Sequence, residues 1–297
     1  MPIVSVIMTS YNHEAYVKEA IKSVLDQTIS DFELIIIDDA SKDKSVKIIE
    51  DCASNDSRIK AFFHEKNLGI ARTLNEALEL SNGDYIAIAS SDDLWLPDKL
   101  EKQLEILKND NNLIVWSDTF IIDAESKYKG LLWSKRYKLD DKKKDGDLFE
   151  QILWGNYICP QSLIMKKTIV SKIGFDNRQK FAVDYQFLVS LSMEHEFHYI
   201  SEPLVKYRMH GDNTIFKNRD LWEKDKFKIF TNVIKQNKKN MPDALKARLR
   251  SRIGRFLFSR KKYRMAKAQF QIALKYELFN FSYLKKYLKS SVFSWFK

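Results

Sequence analysis

Short apolar runs alternate with amphipathic stretches through the first 122 residues, and this alternation most limits the folds open to the chain. The strand candidates are residues 3–9, 32–38, 58–64, 85–90 and 113–122. Helix candidates lie between them, near residues 14–27, 43–53, 69–81 and 98–109. Such an alternation predicts βαβ units, and therefore an α/β fold with a mostly parallel sheet covered by helices on both faces. The pair Asn82-Gly83 predicts a left-handed stop for the third helix.

Polar side chains follow four of the predicted strands directly. The four segments are Thr9-Ser10-Tyr11-Asn12, Asp38-Asp39, Lys66-Asn67-Leu68-Gly69 and Ser90-Ser91-Asp92-Asp93. Ligands of open α/β sheets bind at the carboxyl ends of the strands. The sequence therefore predicts a binding site at this edge of the sheet.

Two adjacent carboxylates, Asp92 and Asp93, stand at the end of the apolar run in "DYIAIASSDDLW". Like charges this close raise each other's pKa unless a positive group relieves the repulsion. A hard cation held by carboxylates and phosphate oxygens, as Mg²⁺ or Mn²⁺ is at nucleotide sites, would do so. The alternative is that the two acids cap the next helix or are solvated in a turn.

The composition favours an ordered globular protein, since 44% of the 297 residues are hydrophobic and only 8 are Gly and 5 are Pro. Cys52 and Cys159 lie far apart and form no CxxC pair. We therefore expect a reducing compartment, with neither a disulfide framework nor a zinc site. The first residues do not resemble a signal peptide, and no run of about 18 apolar residues occurs, so we expect a cytoplasmic protein without a membrane span.

The charges are distributed unevenly along the chain. Residues 215–297 contain 16 Lys and 7 Arg against 3 Asp and 2 Glu, a net charge of +18, and the net charge of residues 1–214 is −8. Residues 245–297 mix these cations with aromatic residues and Leu at helical spacing, which is typical of helices that bind anionic membrane surfaces. A helical cap with solvated charges is the alternative. Basic-aromatic surfaces also bind nucleic acid, but the acidic body and the lack of a known module lead us to expect no nucleic acid partner.

Four segments in order resemble the family 2 glycosyltransferases. They are "VSVIMTSYNHEAYVKEAIKSVLDQTISDFELIIIDDASKDKS", "KNLGIARTLNEAL", "GDYIAIASSDDLWLPDKLEKQ" and "EPLVKYRMHGDN". The resemblance implies a GT-A (Rossmann-like) catalytic domain over residues 1–214, with a nucleotide-sugar half at about 1–122 and an acceptor half at about 123–214. Residues 215–297 would form a separate C-terminal helical region.

The resemblance also implies which residues bind the donor, a nucleoside diphosphate sugar. Those residues are Thr9, Tyr11, Asn12, Asp39, Asn67, Gly69, Arg72, Asn75, Ser91, Asp92 and Asp93. Asp92 matches the metal-ligating acid and Asp93 a supporting acid, and His210 is a candidate second ligand of Mg²⁺ or Mn²⁺. Solvated turns, helix caps and, for His210, a purely structural role are the alternatives.

Asp184 in "FAVDYQFL" resembles the catalytic base of the family, and Trp154, Asn156 and Gln161 lie in the region that meets the acceptor. The alternatives are a helix cap for Asp184 and core packing for the aromatic residues. Two positions depart from the family pattern, because Ser90 replaces an Asp and Val183 replaces a Glu. A catalytically impaired homologue that binds nucleotide sugar is therefore a rival interpretation.

The function implied is a metal-dependent inverting hexosyltransferase whose donor is typically a UDP-sugar. Its acceptor would be a glycan or a lipid-linked saccharide, in the assembly of cell-surface polysaccharide at the inner face of the cytoplasmic membrane. A nucleotidyltransferase shares the predicted topology, but would be expected to carry a Gly-rich, basic loop after the first strand. The segment TSYNHEAY contains neither Gly nor Arg.

Overall fold

The structure is a computed structural model that describes residues 1–211, 219–236 and 241–295. The chain divides into two compact units, Met1–Lys217 and Asn218–Lys297. The predicted domain boundary between residues 214 and 215 lies outside the described residues, as do Asp212 and Asn213 of the last family-like segment.

Four parallel strands form one half of the sheet of the first unit. They are β1 (Val4–Ser10), β2 (Phe32–Asp38), β3 (Ile59–Phe63) and β4 (Tyr85–Ser90), in the order β3-β2-β1-β4. The strand β2 is buried along its whole length, as expected for a parallel strand with helices on both faces. The helices that follow β1, β2 and β3 are α1 (Val17–Leu25), α2 (Ser45–Asn55) and α3 (Ile70–Leu80).

The other half of the sheet mixes parallel and antiparallel pairs. Its strands are β5 (Leu94–Trp95), β6 (Ile114–Ile122), β7 (Tyr128–Leu132), β8 (Ile164–Lys166) and β9 (Phe197–Arg208). The full order is β3-β2-β1-β4-β8-β6-β9-β5, with β7 paired to β6. The strand β9 runs parallel to β6, and its register shifts next to the pair Asp118–Pro203. Proline lacks an N–H group for the ladder, so it occurs in strands mainly at edges and at such irregularities.

Five further α-helices lie within the described residues of this unit. They are α4 (Lys99–Asn109), α5 (Trp133–Arg136), α6 (Phe149–Trp154), α7 (Lys167–Ile173) and α8 (Val183–Ser192). The apolar side of α1 illustrates why the helices form here, since Val17, Ala20, Ile21 and Val24 follow helical spacing and are all buried against the sheet.

The prediction of a left-handed stop at Asn82-Gly83 is wrong. The helix α3 ends at Leu80, and Ser81 is extended with φ −71° and ψ 145°. Gly83 serves close packing instead, because a Cβ placed on it would lie 2.5 Å from the backbone N of Ser5 and 2.6 Å from the carbonyl carbon of Val4. The chain thus passes directly against β1 before it enters β4.

The second unit consists of helices throughout its described residues. They are α9 (Arg219–Gln236), α10 (Asp243–Ser259), α11 (Tyr263–Tyr276) and α12 (Phe281–Trp295). Gly254 lets α10 and α11 approach, since a Cβ at this position would lie 2.8 Å from the ring of Phe270. The predicted α/β class with a C-terminal helical region is confirmed. Within the described ranges, no helix has both the length and the apolar character needed to cross a membrane.

Candidate active site

The register of the parallel strands brings the polar segments to one edge of the sheet. Thr9 of β1 lies opposite Ile37 of β2 and Ser90 of β4, and Ser10 lies opposite Asp38. Because these strands are parallel, their carboxyl ends point the same way. The segments that follow β1, β2 and β4 therefore start side by side.

Hydrogen bonds join the segment after β1 to the segment after β2. The backbone N–H of Asn12 donates to Ser41 Oγ at 2.8 Å, and the N–H of Lys42 donates to Asn12 Oδ1 at 2.7 Å. Ser41 Oγ in turn donates to Asp38 Oδ2 at 2.6 Å. Asn12 adopts a left-handed φ of 54°, which Asn tolerates better than most residues. Asn12 therefore fixes the loop, while Tyr11 beside it remains 45% exposed.

Asp92 is a buried, ionised carboxylate with its two oxygens facing different partners. Ser90 Oγ donates to Oδ1, and His210 Nε2 lies 3.1 Å from Oδ2. His13 Nε2 lies 3.9 Å from the same Oδ2. Burial raises the pKa of Asp92, but the hydrogen bond of His210, the charge of His13 and the hydrogen bond of Ser90 outweigh it. The pKa of Asp92 therefore lies below its usual value.

Asp93 differs from its neighbour because it faces the protein interior. The backbone N–H of Arg208 donates to Asp93 Oδ1 at 2.8 Å, and Oδ2 is buried with no hydrogen-bond partner in the described part of the chain. Burial, and then the charge of Asp92, raise the pKa of Asp93 well above its usual value. The pKa values of these two adjacent acids are therefore shifted in opposite directions.

Three side chains form a candidate metal centre: His13, Asp92 and His210. Each offers one ligand atom, and these atoms lie within 4.8 Å of one another. Ser91 Oγ lies 2.7 Å from His13 Nδ1, which orients the ring so that Nε2 faces Asp92. Such a partner on the second ring nitrogen is typical of metal-bound histidines. The ring of His210 packs on Tyr16, with 4.8 Å between centroids.

Arg208 is 1% exposed and supports the candidate metal centre from the protein interior. Its Nε donates to the carbonyl of Asp92 at 2.7 Å, and its Nη1 donates to Ser126 Oγ at 2.7 Å. Its Nη2 donates to Glu19 Oε2 at 2.8 Å, and the guanidinium lies 4.9 Å from the centroid of the Tyr16 ring. One buried cation thereby ties the backbone of the acid pair to α1 and positions His210, two residues further along.

A second hydrogen-bonded group lies after β2 and β3. Asp39 Oδ1 accepts from the N–H of Leu68 at 2.7 Å, and Oδ2 accepts from the N–H of Gly69 at 2.8 Å. The amide of Asn67 donates to the carbonyl of Asp39 at 3.1 Å. Gly69 has φ 87° and ψ 148°, a conformation that only glycine adopts readily. Asp39, Asn67 and Gly69 thus form one unit, in which the carboxylate of Asp39 is bound to backbone N–H groups.

His64 completes this group between two carboxylates. Its Nδ1 lies 2.8 Å from Asp39 Oδ1, and its Nε2 lies 3.0 Å from Glu76 Oε2. Burial lowers the pKa of His64, but the hydrogen bonds to Asp39 and Glu76 outweigh it and raise the pKa above its usual value. An imidazole with a raised pKa therefore lies close to the predicted donor-binding residues.

The helix α3 carries the last two predicted donor residues, which face different surroundings. Arg72 is exposed in the first turn of the helix. Asn75 binds the backbone of Phe175, because its Nδ2 donates to the carbonyl at 2.8 Å and its Oδ1 accepts from the N–H at 2.9 Å. Asn75 therefore joins α3 to the segment before α8.

Asp184 lies in the first turn of α8, and Asn156 is its polar neighbour. The amide Nδ2 of Asn156 donates to Asp184 Oδ2 at 3.1 Å. Burial raises the pKa of Asp184, and the hydrogen bonds of the Tyr185 N–H and of Asn156 only partly oppose it. The hydroxyl of Tyr185 donates to the carbonyl of Leu153 at 2.6 Å, which fixes α8 against α6. A carboxyl group with a raised pKa in a fixed position is suited to act as a general base.

The other two predicted acceptor residues are half-buried near Asn156. Trp154 Nε1 lies 3.5 Å from Glu150 Oε1, and Gln161 Oε1 accepts from the thiol of Cys159 at 3.2 Å. Asn156 is therefore the predicted acceptor residue that the structure brings into direct contact with Asp184.

Trp133, Tyr137 and Tyr207 form an aromatic cluster. The ring centroid of Trp133 is 4.6 Å from that of Tyr137 and 5.0 Å from that of Tyr207. The pKa of Tyr207 is raised by burial and then by the charges of the acid pair. The pKa of Tyr137 is raised by burial, and the charge of Asp184 adds to it. The charges of the acid pair thus contribute to the raised pKa of Tyr207, and the charge of Asp184 contributes to the raised pKa of Tyr137.

Sequence reasoning missed His13, His64 and Arg208. His13 follows β1 by three residues and His64 follows β3 directly. The rule that ligands bind at the carboxyl ends of strands, applied to every titratable side chain there, would have found both histidines. Nothing local marks Arg208, since its partners come from residues 19, 92 and 126.

Comparison with known proteins is consistent with this architecture. The model of the glycosyl transferase family 2 matches residues 5–170. An uncharacterized glycosyltransferase of Methanocaldococcus jannaschii is 33% identical over 212 residues, which cover 70% of this chain and 71% of the relative. A putative teichuronic acid biosynthesis glycosyltransferase of Bacillus subtilis is 45% identical over 106 residues, which cover 36% of this chain and 42% of the relative.

Solved structures share the fold at low sequence identity. Residues 1–349 of TarS from S. aureus, in complex with UDP-GlcNAc, superpose with a TM-score of 0.69 at 15% identity, covering 98% of this chain and 89% of that fragment of TarS. A mannosyltransferase of Pyrobaculum calidifontis in complex with GDP-Man and Mn²⁺ gives a TM-score of 0.65 at 15% identity, covering 98% and 85% of the two chains.

The mixed α/β sheet and the helical region that follows it give the chain a GT-A-like fold. Because the family model covers more than half of the chain, the protein belongs to glycosyl transferase family 2. It is a glycosyltransferase, as the relative from Methanocaldococcus jannaschii is.

Proposed function

We propose that the protein is an inverting glycosyltransferase that moves a sugar from a nucleoside diphosphate sugar to a hydroxyl group of a glycan or a lipid-linked saccharide. The observation that carries the proposal is the cluster of His13, Asp92 and His210 at the edge of the sheet where nucleotides bind. In this proposal the cluster is the donor end of the site, and Asp184 with Asn156 is the acceptor end.

A divalent cation fits the donor end, where Asp92, His13 and His210 would hold it. When bound, it would neutralise the charge that develops on the leaving diphosphate. Mg²⁺ prefers an all-oxygen shell, whereas two imidazoles with one carboxylate suit a transition metal. We therefore favour Mn²⁺ over Mg²⁺, and the Mn²⁺ in the Pyrobaculum calidifontis complex supports this choice.

Asp184 is the proposed general base. In an inverting transfer, the acceptor hydroxyl attacks the anomeric carbon on the face opposite the leaving diphosphate and loses its proton as it does so. Asp184 would accept this proton at a carboxylate oxygen, while the amide of Asn156 holds Oδ2 in place. Its raised pKa makes it a stronger base than an exposed carboxylate.

The donor we propose is a UDP-sugar. TarS binds UDP-GlcNAc, although the Pyrobaculum calidifontis enzyme of similar fold binds GDP-Man. The exposed ring of Tyr11 offers a surface for the base, and Thr9, Asn12 and the group around Asp39 lie along the same edge of the sheet. Arg72 is exposed and available to a phosphate.

The acceptor we propose belongs to cell-surface polysaccharide synthesis. The relative of Bacillus subtilis is named for teichuronic acid biosynthesis, and a chondroitin synthase of Escherichia coli is 30% identical over 231 residues, although these cover only 32% of that enzyme. Trp154, Asn156 and Gln161 are the proposed acceptor contacts, with the Trp ring stacking on a sugar and the amides binding hydroxyl groups.

The rival interpretation, an impaired homologue, rests on Ser90 and Val183. Ser90 stands where the family pattern has an Asp, and its hydroxyl donates a hydrogen bond that stabilises the ionised form of Asp92. Val183 is 3% exposed, where a glutamate would carry a desolvation cost. Both departures are therefore compatible with an active enzyme.

A panel of UDP-, GDP- and dTDP-sugars with Mn²⁺, Mg²⁺ or EDTA tests the proposed function. We expect one donor to raise the melting temperature and to be hydrolysed slowly in Mn²⁺, and both effects to be lost in Asp92→Asn. Stabilisation by a donor without any hydrolysis or transfer would favour the impaired homologue. No response to any donor would refute the proposal.

We also propose that the C-terminal unit binds an anionic membrane surface. One face of α12 exposes Phe281, Leu288 and Val292, which are 81%, 54% and 57% exposed, and Lys285 and Lys289 flank them. Exposed apolar side chains beside lysines are typical of helices that lie in the membrane interface. Residues 215–297 carry a net charge of +18, which favours acidic lipids.

Co-sedimentation with vesicles tests this surface. We expect the full chain to pellet with vesicles rich in phosphatidylglycerol and to remain in solution with pure phosphatidylcholine. The double variant Phe281→Ser/Leu288→Ser should lose most of this binding, whereas Met265→Ser, which changes an exposed apolar residue of α11, should keep it. Equal binding by both variants would remove α12 from the proposed membrane surface.

A further inference from the structure

His64 lies between two carboxylates at the carboxyl end of β3. Its Nδ1 is 2.8 Å from Asp39 Oδ1, and its Nε2 is 3.0 Å from Glu76 Oε2. An ionised carboxylate accepts hydrogen bonds and donates none, so both bonds form together only when both ring nitrogens carry a proton. The arrangement therefore selects the imidazolium form of His64, and its raised pKa agrees with this geometry.

The two acids reach His64 from different elements. Asp39 follows β2 and its side chain is 6% exposed, whereas Glu76 is on α3 and its side chain is 42% exposed. In the described part of the chain, the other charged side chains of the surrounding segments form no hydrogen bond or ion pair with His64. These side chains are Asp38, Glu65, Lys66 and Arg72. The protonation of His64 therefore depends mainly on one buried and one partly exposed acid.

The carboxylate of Asp39 is also held from two further directions. The N–H of Leu68 donates to its Oδ1 and the N–H of Gly69 donates to its Oδ2. The backbone N–H of His64 donates to the carbonyl of Asp38 at 2.9 Å, which fixes the histidine beside Asp39. Loss of a ring proton would leave one nitrogen facing a carboxylate oxygen with no hydrogen between them. His64 is thus the titratable member of the group that fixes Asp39.

The charge of His64 also has a consequence for an anionic ligand. Residues 1–214 carry a net charge of −8, whereas the proposed donor contains a diphosphate. An imidazolium beside Asp39 offsets one negative charge at this edge of the sheet, which favours the approach of an anion. Loss of the proton would therefore disfavour the donor both through the charge and through the weaker hold on Asp39.

We propose that His64 is a positioning residue of the donor end, whose protonated ring fixes Asp39 for the nucleoside of the donor, and that Glu76 maintains this protonated form. This role rests on the proposed function, in which Asp39 contacts the donor. Because the pKa of His64 is raised, its contribution is present below that pKa and is lost as the pH rises through it. The affinity for the nucleotide should therefore fall on the alkaline side of the His64 titration.

Two-dimensional NMR of the protein with labelled histidine measures the titration of His64 without any nucleotide. We expect the ring to stay protonated to a higher pH than an exposed histidine does. Glu76→Gln should lower the pKa of His64, because it removes one of the two carboxylate partners and leaves the histidine in place. Glu79→Gln is the matched control, since it removes an exposed acid from the same helix. Equal effects of the two variants, or a His64 pKa that is not raised, would refute the protonated pair.

Calorimetric titration of the full chain with UDP and with GDP, at saturating Mn²⁺ and over a range of pH, measures the effect on the donor end. His64→Asn places an amide nitrogen at the position of Nδ1, so it keeps the bond to Asp39 but cannot titrate. His64→Gln places its amide nitrogen near the position of Nε2 and loses that bond. At a pH where His64 is protonated, we expect His64→Gln to weaken nucleotide binding by roughly tenfold or more and His64→Asn by less than about threefold, since only the first loses the hydrogen bond to Asp39.

The ratio of the Kd of His64→Asn to that of the unchanged protein isolates the contribution of His64. The titrations of His13, His210 and the diphosphate affect both proteins equally and cancel in this ratio. We expect the ratio to approach one as the pH rises through the pKa of His64. A ratio that does not change with pH would contradict the positioning role.

The outcomes separate this role of His64 from the proposed function. A nucleotide that binds all variants equally at every pH would refute the role of His64 and leave the proposed donor site intact. If neither nucleotide binds the unchanged protein, the proposed donor site fails and the role of His64 fails with it. Should the His64 variants not fold, Glu76→Gln decides the question. An alkaline fall in affinity that moves to lower pH in Glu76→Gln supports the role, and one that stays in place refutes it.

Discussion

Asp92 and Asp93 are adjacent and have the same side chain, but their carboxyl groups lie in different surroundings. Asp92 faces His13 and His210 and has a lowered pKa, whereas Asp93 faces the backbone of β9 and has a strongly raised one. The order of the chain alone could not assign these states, since both depend on residues more than 75 positions away. In the proposed mechanism Asp92 is the metal ligand. Asp93 instead binds the backbone of β9, because its Oδ1 accepts from the N–H of Arg208.

Substitution of His13 tests the third ligand of the proposed metal centre. We expect His13→Gln to weaken Mn²⁺ binding by at least about 10- to 100-fold, a loss that even an indirect partner of a ligand can cause. Ser91→Ala should weaken it less, because Ser91 only orients the ring. Titration of Mn²⁺ by electron paramagnetic resonance measures both.

The control for this experiment is His198→Gln, which changes a histidine near Asp145 on β9. It should bind Mn²⁺ as the unchanged protein does. If His13→Gln binds Mn²⁺ equally well, the centre consists of Asp92 and His210 without His13.

The pH dependence of the reaction tests the pairing of Asn156 with Asp184. The hydrogen bond from Asn156 stabilises the ionised carboxylate and lowers its pKa, against the larger opposite effect of burial. Asn156→Ala should therefore raise the pKa of Asp184. Because the base acts in its ionised form, the acidic limb of the kcat/KM profile should move to higher pH.

This profile is measured at saturating Mn²⁺, so that the state of the metal ligands stays constant. Gln161→Ala changes another proposed acceptor contact, whose side chain bonds the thiol of Cys159 rather than Asp184, so it should leave the acidic limb in place whatever its effect on the size of kcat/KM. An acidic limb that stays in place in Asn156→Ala, or moves to lower pH, would contradict the assignment of Asp184 to that limb.

At the scale of elements, hydrophobic periodicity predicted the first five long strands and the helices between them. These elements could be predicted from the local sequence, because each buries either a continuous apolar run or the apolar face of an amphipathic segment. The strands β7, β8 and β9 were not predicted. The strand β8 has only three residues, and β9 contains Glu202 and Pro203, so their strand character depends on pairing with β4 and β6.

Gly83 is the position where close packing between elements is most sensitive. Gly83→Ala should lower the free energy of unfolding by about 1–3 kcal/mol, because the new Cβ would overlap the backbone of β1. Chemical denaturation measures the loss. Gly155→Ala is the matched control, since Gly155 is extended and has open space at its Cβ position. Equal stability of the two variants would contradict the close approach at Gly83.

At the scale of the whole molecule, sequence predicted which edge of the sheet carries the candidate site, but only part of the residues that the structure brings together there. Asp92 was chosen from its position at a strand end as well as from family resemblance, whereas Asp184 and His210 were chosen from the resemblance. The geometry connects Asp92 to His210 and Asp184 to Asn156. Arg208 could not be chosen from the sequence, because its partners are brought to it by the fold.

The central claim, that Asp184 is the base of a metal-dependent sugar transfer, is tested most directly by the transfer rate of Asp184→Asn at saturating donor and Mn²⁺. The account predicts that kcat falls by roughly 10²- to 10⁴-fold, the usual contribution of a general base, while the affinity for the donor is unchanged. Asp141→Asn, which changes an exposed acid of the acceptor half, should retain full activity. Undiminished transfer by Asp184→Asn would contradict the account.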